Sequence, residues 1–209
     1  MNNPRNRTVI VADGTFPVHN IPLSYIQNAK RIICCDGSTE TLLKTGFIPD
    51  AIVGDMDSLS HELAARFADR IYRIEEQETN DLTKTVTWCI NKGYNDLVIL
   101  GATGKREDHT IGNISLLAEY IRIARVMMVT DTGYFVPVDR SITLQSFPGQ
   151  QISLFSIDIN TEITSSGLKY PLKKFRISNW WQATLNEAVG ESFNLEFTNG
   201  RLIVYFKFR

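Results

Sequence analysis

Cysteine is scarce in this 209-residue chain: Cys34, Cys35 and Cys89 are the whole set. The count is odd and two are adjacent, so a disulfide framework is not expected. With only three histidines, no Cys/His spacing resembles a zinc site. The thiols read as buried and reduced, as in a cytoplasmic protein. Excess charge is also missing, with 22 Lys+Arg against 23 Asp+Glu and a net −1. No basic stretch stands out, which argues against nucleic acid as the main partner. The longest apolar runs are strand-length, far short of the roughly 20 residues of a membrane helix. Met1–Arg7 is polar with no apolar stretch behind it, so no signal peptide is expected. Internal repeats, low-complexity segments, a GxGxxG turn and a Walker A loop are all absent.

What is present begins with an alternation. Apolar runs at Thr8–Ala12, Arg31–Cys35, Ala51–Val53 and Leu97–Leu100 each end at a Gly or Asp, and Val126–Val129 ends at Thr130-Asp131. Continuous runs of this kind suit strands buried on both faces of a parallel sheet. Between them, Ser60–Ala68, Asp81–Asn91 and Asp108–Ile123 carry apolar residues at helical spacing, with Ser60 placed as an N-cap. After about residue 131 long helices disappear. Thr143–Leu144, Gln151–Ile157, Asn194–Thr198 and Leu202–Phe208 read as strands, and Asn199-Gly200 reads as a hairpin turn between the last two. The expected fold is α/β: an open, mostly parallel sheet flanked by helices over residues 1–131, followed by an all-β sandwich over 132–209.

The acids carry the functional signal. Asp13, Asp36 and Asp55 each follow the carboxyl end of an expected strand, the edge where open α/β sheets bind ligands. In an extended loop, Asp55 and Asp57 point the same way and present two hard carboxylates to one cation, which suits Mg2+. Gly54 permits close backbone approach. Ser58 is placed either to cap the following helix or to bond a phosphate. A second cluster, Gln77 to Lys84, leads from a strand at Ile71–Ile74 into a helix. Thr79 or Asn80 can cap that helix, Asp81 favours its dipole, and Lys84 lies three residues on along the same face. A helix N-terminus beside a lysine also suits phosphate. The third cluster, Gly101 to His109, combines glycines with Lys105 and Arg106, either of which can neutralise phosphate charge.

The ordered set CCDGS (Cys34–Ser38), PDAIVGDMDS (Pro49–Ser58), QETNDLTKTV (Gln77–Val86), GATGKREDHTIGN (Gly101–Asn113), GLKYPL (Gly167–Leu172) and SNWW (Ser178–Trp181) resembles the thiamine pyrophosphokinase family over nearly the whole chain. The resemblance implies transfer of the pyrophosphoryl group of ATP to the hydroxyl of thiamine, releasing AMP. It also implies an α/β nucleotide domain, a β-sandwich and a homodimer. It would make Asp36, Asp55, Asp57 and Asp81 the Mg2+ cluster and give Gln77 and Lys84 contacts to nucleotide or substrate. Arg106 and Asp108 would lie beside the reacting groups. Ser178 and Asn179, with Trp180 or Trp181, would line the thiamine pocket. Asp81 and Asp108 are the candidates for general base. Adjacent strand residues face opposite ways, so one Trp at most is expected to touch ligand. The chain departs from the family at Asp13 and Lys105, where glycine is frequent, and at Ser38, Asn80 and Tyr170.

Overall fold

The computed structural model describes residues 7–209. Residues 1–6, and the expectation about the polar N-terminus with them, lie outside this range. Two compact units are present, and each is described by itself. The first runs to Leu116 and takes in Ile123–Asp131; the second comprises Leu117–Arg122 and Thr132–Arg209.

Up to residue 131 the order is β1 (Thr8–Val11), α1 (Asn20–Gln27), β2 (Arg31–Cys35), α2 (Thr39–Lys44), β3 (Ala51–Gly54), α3 (His61–Arg66), β4 (Ile71–Arg73), α4 (Asp81–Asn91), β5 (Asp96–Leu100), α5 (Glu107–Tyr120, whose last turn from Leu117 counts with the second unit) and β6 (Arg125–Val129). The strands form one parallel sheet in the order β6-β5-β1-β2-β3-β4. Every residue of β1 and β3 is buried, as is Leu97–Leu100 of β5. That is the doubly covered centre expected of continuous apolar strands. Strand β4 is the exposed edge. Strand order reverses between β1–β2 on one side and β1–β5 on the other, which makes the carboxyl ends of β1, β2 and β5 a switch point.

Helix α4 has the expected bounds, and its reason is local. Asn80 accepts from the Thr83 N–H, while Leu82, Val86 and Cys89 make the buried stripe. Ser60 caps α3 through the Leu63 N–H. Ser58 is not a cap; its hydroxyl donates to Asp57 Oδ1 at 3.0 Å. In α5 the buried face is Leu117, Ala118 and Tyr120, and Ile111, expected on that face, is exposed. Helices α1 and α2 had no counterpart in the sequence reading. They are eight and six residues long, too short for a period to emerge.

The second unit holds β7 (Gly133–Val138), β8 (Ile142–Gln145), β9 (Gln151–Ser156), β10 (Glu162–Ser166), β11 (Phe175–Arg176), β12 (Asn186–Glu187), β13 (Ser192–Glu196) and β14 (Leu202–Lys207). Its strands pair antiparallel as β12-β9-β14-β7 and as β11-β10-β13-β8. Ile152, Leu154, Leu202, Val204 and Phe206 from one set pack with Ile163, Phe193 and Leu195 from the other in one core. This is the sandwich expected. The Asn199-Gly200 hairpin is not formed. β13 pairs with β8 and β10, and β14 pairs with β7 and β9, so the turn carries the chain between the two sheets. Gly200 takes φ +99, the left-handed conformation the dipeptide favours, so the local chemistry is right and the pairing is decided by the core.

Among the described residues no helix is long and apolar enough to cross a membrane. Cys34, Cys35 and Cys89 are unpaired and buried. Burial pushes the Cys34 and Cys89 thiols up to about 12 and Cys35 higher still, so all three stay protonated.

Candidate functional site

The carboxyl edge of the parallel sheet gathers the acids. Asp36 follows β2 and is buried, 3% exposed. Its Oδ1 accepts the Gly37 N–H at 2.7 Å and its Oδ2 accepts the Met56 N–H at 3.0 Å. The second bond stitches the β2 loop to the β3 loop. Gly54 must be glycine for this approach, since a Cβ there would lie 2.9 Å from Asp36 Cγ.

Asp55 and Asp57 follow β3, but not along an extended loop. Met56 between them has φ +70, and the Asp57 N–H turns back to Asp55 Oδ1 at 3.3 Å. A left-handed residue thus brings together two carboxylates that were expected to align through extended geometry. One oxygen from each of Asp36, Asp55 and Asp57 falls within 4.8 Å of the others. Asp36, Gly37, Asp57, Ser58, Ser60 and Leu63 border an adjoining cleft of about 230 Å3.

Asp81 opens α4 and meets the group through Lys84. The Lys84 ammonium donates to Asp55 Oδ2 at 3.0 Å and to Asp81 Oδ1 at 3.2 Å, with its side chain 2% exposed. Gln77 Nε2 also reaches Asp55 Oδ2, at 3.4 Å. Sequence spacing aligned Lys84 with Asp81; its bond to Asp55, 29 residues away, comes from the fold.

The charges explain the protonation pattern. Burial first, then repulsion from Asp81, Asp55 and Asp57, raises the Asp36 carboxyl above its usual value. The Lys84 hydrogen bond holds Asp55 down at about 2. Burial pulls Lys84 down, but its bonds and attraction to Asp55 and Asp81 outweigh that and leave it raised. The Lys84 ammonium thus meets two of the four carboxylates, Asp55 and Asp81, while Asp36 feels the charge of the other three. Three converging oxygens with too little positive charge suit a hard divalent cation, and this donor set fits Mg2+.

The third cluster opens α5. Arg106 Nε and Nη2 take Asp108 Oδ1 at 3.0 Å and Oδ2 at 2.6 Å, and Asp108 Oδ1 also accepts the His109 N–H at 2.8 Å. That fork holds the exposed Asp108 carboxyl at about 2. Asn113, given no role by sequence, joins the two loops: it accepts from Asn80 Nδ2 at 3.2 Å and donates to Ala102 O at 2.9 Å. A polar amide inside a helix was the available signal. Asp13 and Lys105 form an ion pair at 2.7 Å across the ends of β1 and β5.

In the second unit Ser178 to Trp181 is not a strand. Trp180–Ala183 is a 3-10 turn capped by Asn179, with Gln182 reaching back to the Ser178 and Asn179 N–H groups at 2.9 and 2.8 Å. Any difference between the two rings therefore comes from the turn and not from strand alternation. Trp180 is half-buried, edge-on to Phe155, and donates its indole N–H to Ser156 O at 3.1 Å. Trp181 is 71% exposed.

Comparison with known proteins agrees over both units. A model described as the thiamin pyrophosphokinase catalytic domain matches residues 23–129, and one described as the thiamin pyrophosphokinase substrate-binding domain matches residues 133–205. The thiamine pyrophosphokinase of Bacillus subtilis (strain 168) is 30% identical over 216 residues, covering 93% of this chain and 95% of that protein. Thiamin pyrophosphokinase 1 of Caenorhabditis elegans is 27% identical over 146 residues, covering 66% and 55%. The crystal structure of the Geobacillus thermodenitrificans thiamin pyrophosphokinase superposes with a TM-score of 0.77 at 25% identity, over 97% of both chains. A family protein from Enterococcus faecalis shares the fold with a TM-score of 0.80 at 20% identity, over 98% and 100%. With both domain models and a full-length relative in agreement, the chain belongs to the thiamine pyrophosphokinase family.

Proposed function

We propose that this chain transfers the pyrophosphoryl group of ATP to the hydroxyl of thiamine, giving thiamine pyrophosphate and AMP. The observation that carries the reading is the convergence of Asp36, Asp55 and Asp57 oxygens within 4.8 Å, beside a buried lysine at the sheet's ligand edge. Such transfers need positioning and charge neutralisation more than covalent catalysis. Mg2+ held by those three acids, with Asp81 near, would screen the phosphates and stabilise charge on the leaving AMP.

The chain's own groups have distinct parts in this reading. Lys84 keeps Asp55 ionised and, with Gln77, fixes its direction. Arg106 offers a planar fork for phosphate once it turns from Asp108. Of the two candidate bases, Asp108 has both oxygens occupied by Arg106 and a carboxyl near 2, which makes it a poor proton acceptor. Asp81 is therefore the better base for the thiamine hydroxyl. Residues 1–131 act as the nucleotide domain and 132–209 as the thiamine domain. There Ser178 and Asn179 shape the turn, Trp180 anchors it, and Trp181 offers an open face to a thiazolium cation. The proposal includes a cytoplasmic homodimer.

A panel of acceptor alcohols with ATP and divalent metal tests the reaction. Thiamine should give AMP and thiamine pyrophosphate in equal amounts, and Asp55→Asn should stay folded while losing turnover. ADP as the co-product, or preference for a hydroxymethyl pterin, would overturn the assignment.

A further inference from the structure

Among the described residues, Lys84, Lys105 and Arg106 stand at the ligand edge of the parallel sheet, and they are held very differently. Lys84 donates to two carboxylates and is buried. Arg106 grips both oxygens of Asp108. Lys105 makes one contact, to Asp13 Oδ1 at 2.7 Å, and the two side chains are 52% and 48% exposed.

That ion pair does not hold its loops together. Backbone bonds already do so: Gly14 N–H to Gly101 O at 2.5 Å, Thr15 N–H to Thr103 O at 2.7 Å, and Ala12 N–H to Leu100 O at 2.9 Å. An exposed pair of this kind adds little stability. Asp13 also lies close over Gly37. A Cβ on Gly37 would lie 2.9 Å from its Oδ2, so the carboxylate rests on the residue next to Asp36. Asp13 stays outside the group of converging oxygens, which comprises Asp36, Asp55 and Asp57. Lys105 thus neutralises an acid of this edge that stands apart from the converging oxygens.

We propose that Lys105 is a polyphosphate-binding residue whose resting partner is Asp13, and that its ammonium moves from Asp13 to phosphoryl oxygens when nucleotide binds. A single half-exposed carboxylate is a weak hold on a flexible lysine stem, and a metal-bound triphosphate presents more negative charge to the same ammonium. Asp13 is then an internal competitor that keeps the lysine extended toward the site.

The inference rests on ATP as substrate, and binding of a non-hydrolysable ATP analogue with Mg2+ separates the two. The dissociation constant is measured by calorimetry for the unsubstituted chain, Lys105→Met, Lys105→Arg and Asp13→Asn, at low and at raised salt. Lys105→Met should weaken binding about tenfold, Lys105→Arg should stay near the original, and Asp13→Asn should tighten binding about threefold. Weaker binding in Asp13→Asn would show that the pair is a structural latch and overturn the exchange. Equal and opposite changes in Lys105→Met and Asp13→Asn that vanish at raised salt would reduce both to a long-range field and also overturn it. Failure of the unsubstituted chain to bind the analogue would remove the ATP reading itself, and the exchange with it.

Discussion

Replacing Lys84 by methionine removes one ammonium and keeps most of the stem. The ammonium is buried and joins Asp55 at 3.0 Å and Asp81 at 3.2 Å. Breaking a fully buried pair by removing one partner costs about 3–5 kcal/mol, whereas an exposed pair is worth about 0–1 kcal/mol. Lys84 is 2% exposed but Asp55 is 17% and Asp81 36% exposed, so water reaches the carboxylates left behind. The expected loss lies between the two cases, at about 2 kcal/mol. Urea unfolding in the presence of a chelator reads it directly. With a slope of about 1–3 kcal/mol per molar urea, the midpoint should fall by about 1 M. Added Mg2+ should restore more stability to Lys84→Met than to the unsubstituted chain, because the carboxylates it meets are less compensated. A cation at a hundred times its dissociation constant contributes about 2.7 kcal/mol. An unchanged midpoint in chelator would refute the placement of Lys84 as the counter-ion of the acid group.

Acid unfolding gives a related test. Asp55 lies below its usual value, so its contribution is present above about pH 4 and is lost as pH falls toward about pH 2. Asp36 is raised and has the opposite sign, lowering stability as pH rises through its titration. Without metal, acidification from about pH 4 to about pH 2 should destabilise the original chain more than Lys84→Met. A steeper loss in the variant, followed by circular dichroism, would contradict this. Asn80→Ala removes the α4 cap and the link to Asn113, and should cost about 1 kcal/mol in thermal or urea unfolding. Phe193→Ala empties a fully buried position in the sandwich and should cost about 3–5 kcal/mol; a loss below about 1 kcal/mol would contradict the shared core. Trp181→Ala should leave stability unchanged and raise the KM for thiamine, since the ring is exposed.

How far the sequence reaches depends on the range of the forces involved. Asp81–Asn91 is legible because a capping asparagine and a helical apolar stripe lie within a dozen residues. The buried parallel strands are legible because both faces demand apolar side chains. The fate of Asn199-Gly200 is not, because a turn dipeptide specifies its backbone and says nothing of which strands it joins. Asp55 and Asp57 were brought together by sequence for the wrong geometric reason. The left-handed conformation of Met56 goes together with the Met56 N–H to Asp36 bond, across 20 residues. The Asp13–Lys105 pair spans 92 residues and could be seen only once β1 and β5 were neighbours. In the sandwich, SNWW was read as a strand, whereas the Asn179–Gln182 capping box makes it a turn and gives its two rings different surroundings.

The central claim is that Asp36, Asp55 and Asp57 hold one divalent cation. Titration with Mn2+, followed by electron paramagnetic resonance of the free ion, tests it most directly. The account predicts one tight site per chain in the absence of nucleotide, weakened at least tenfold in Asp55→Asn and in Asp57→Asn, with the fold unchanged by circular dichroism. Retention of that site at full affinity in both variants would contradict it.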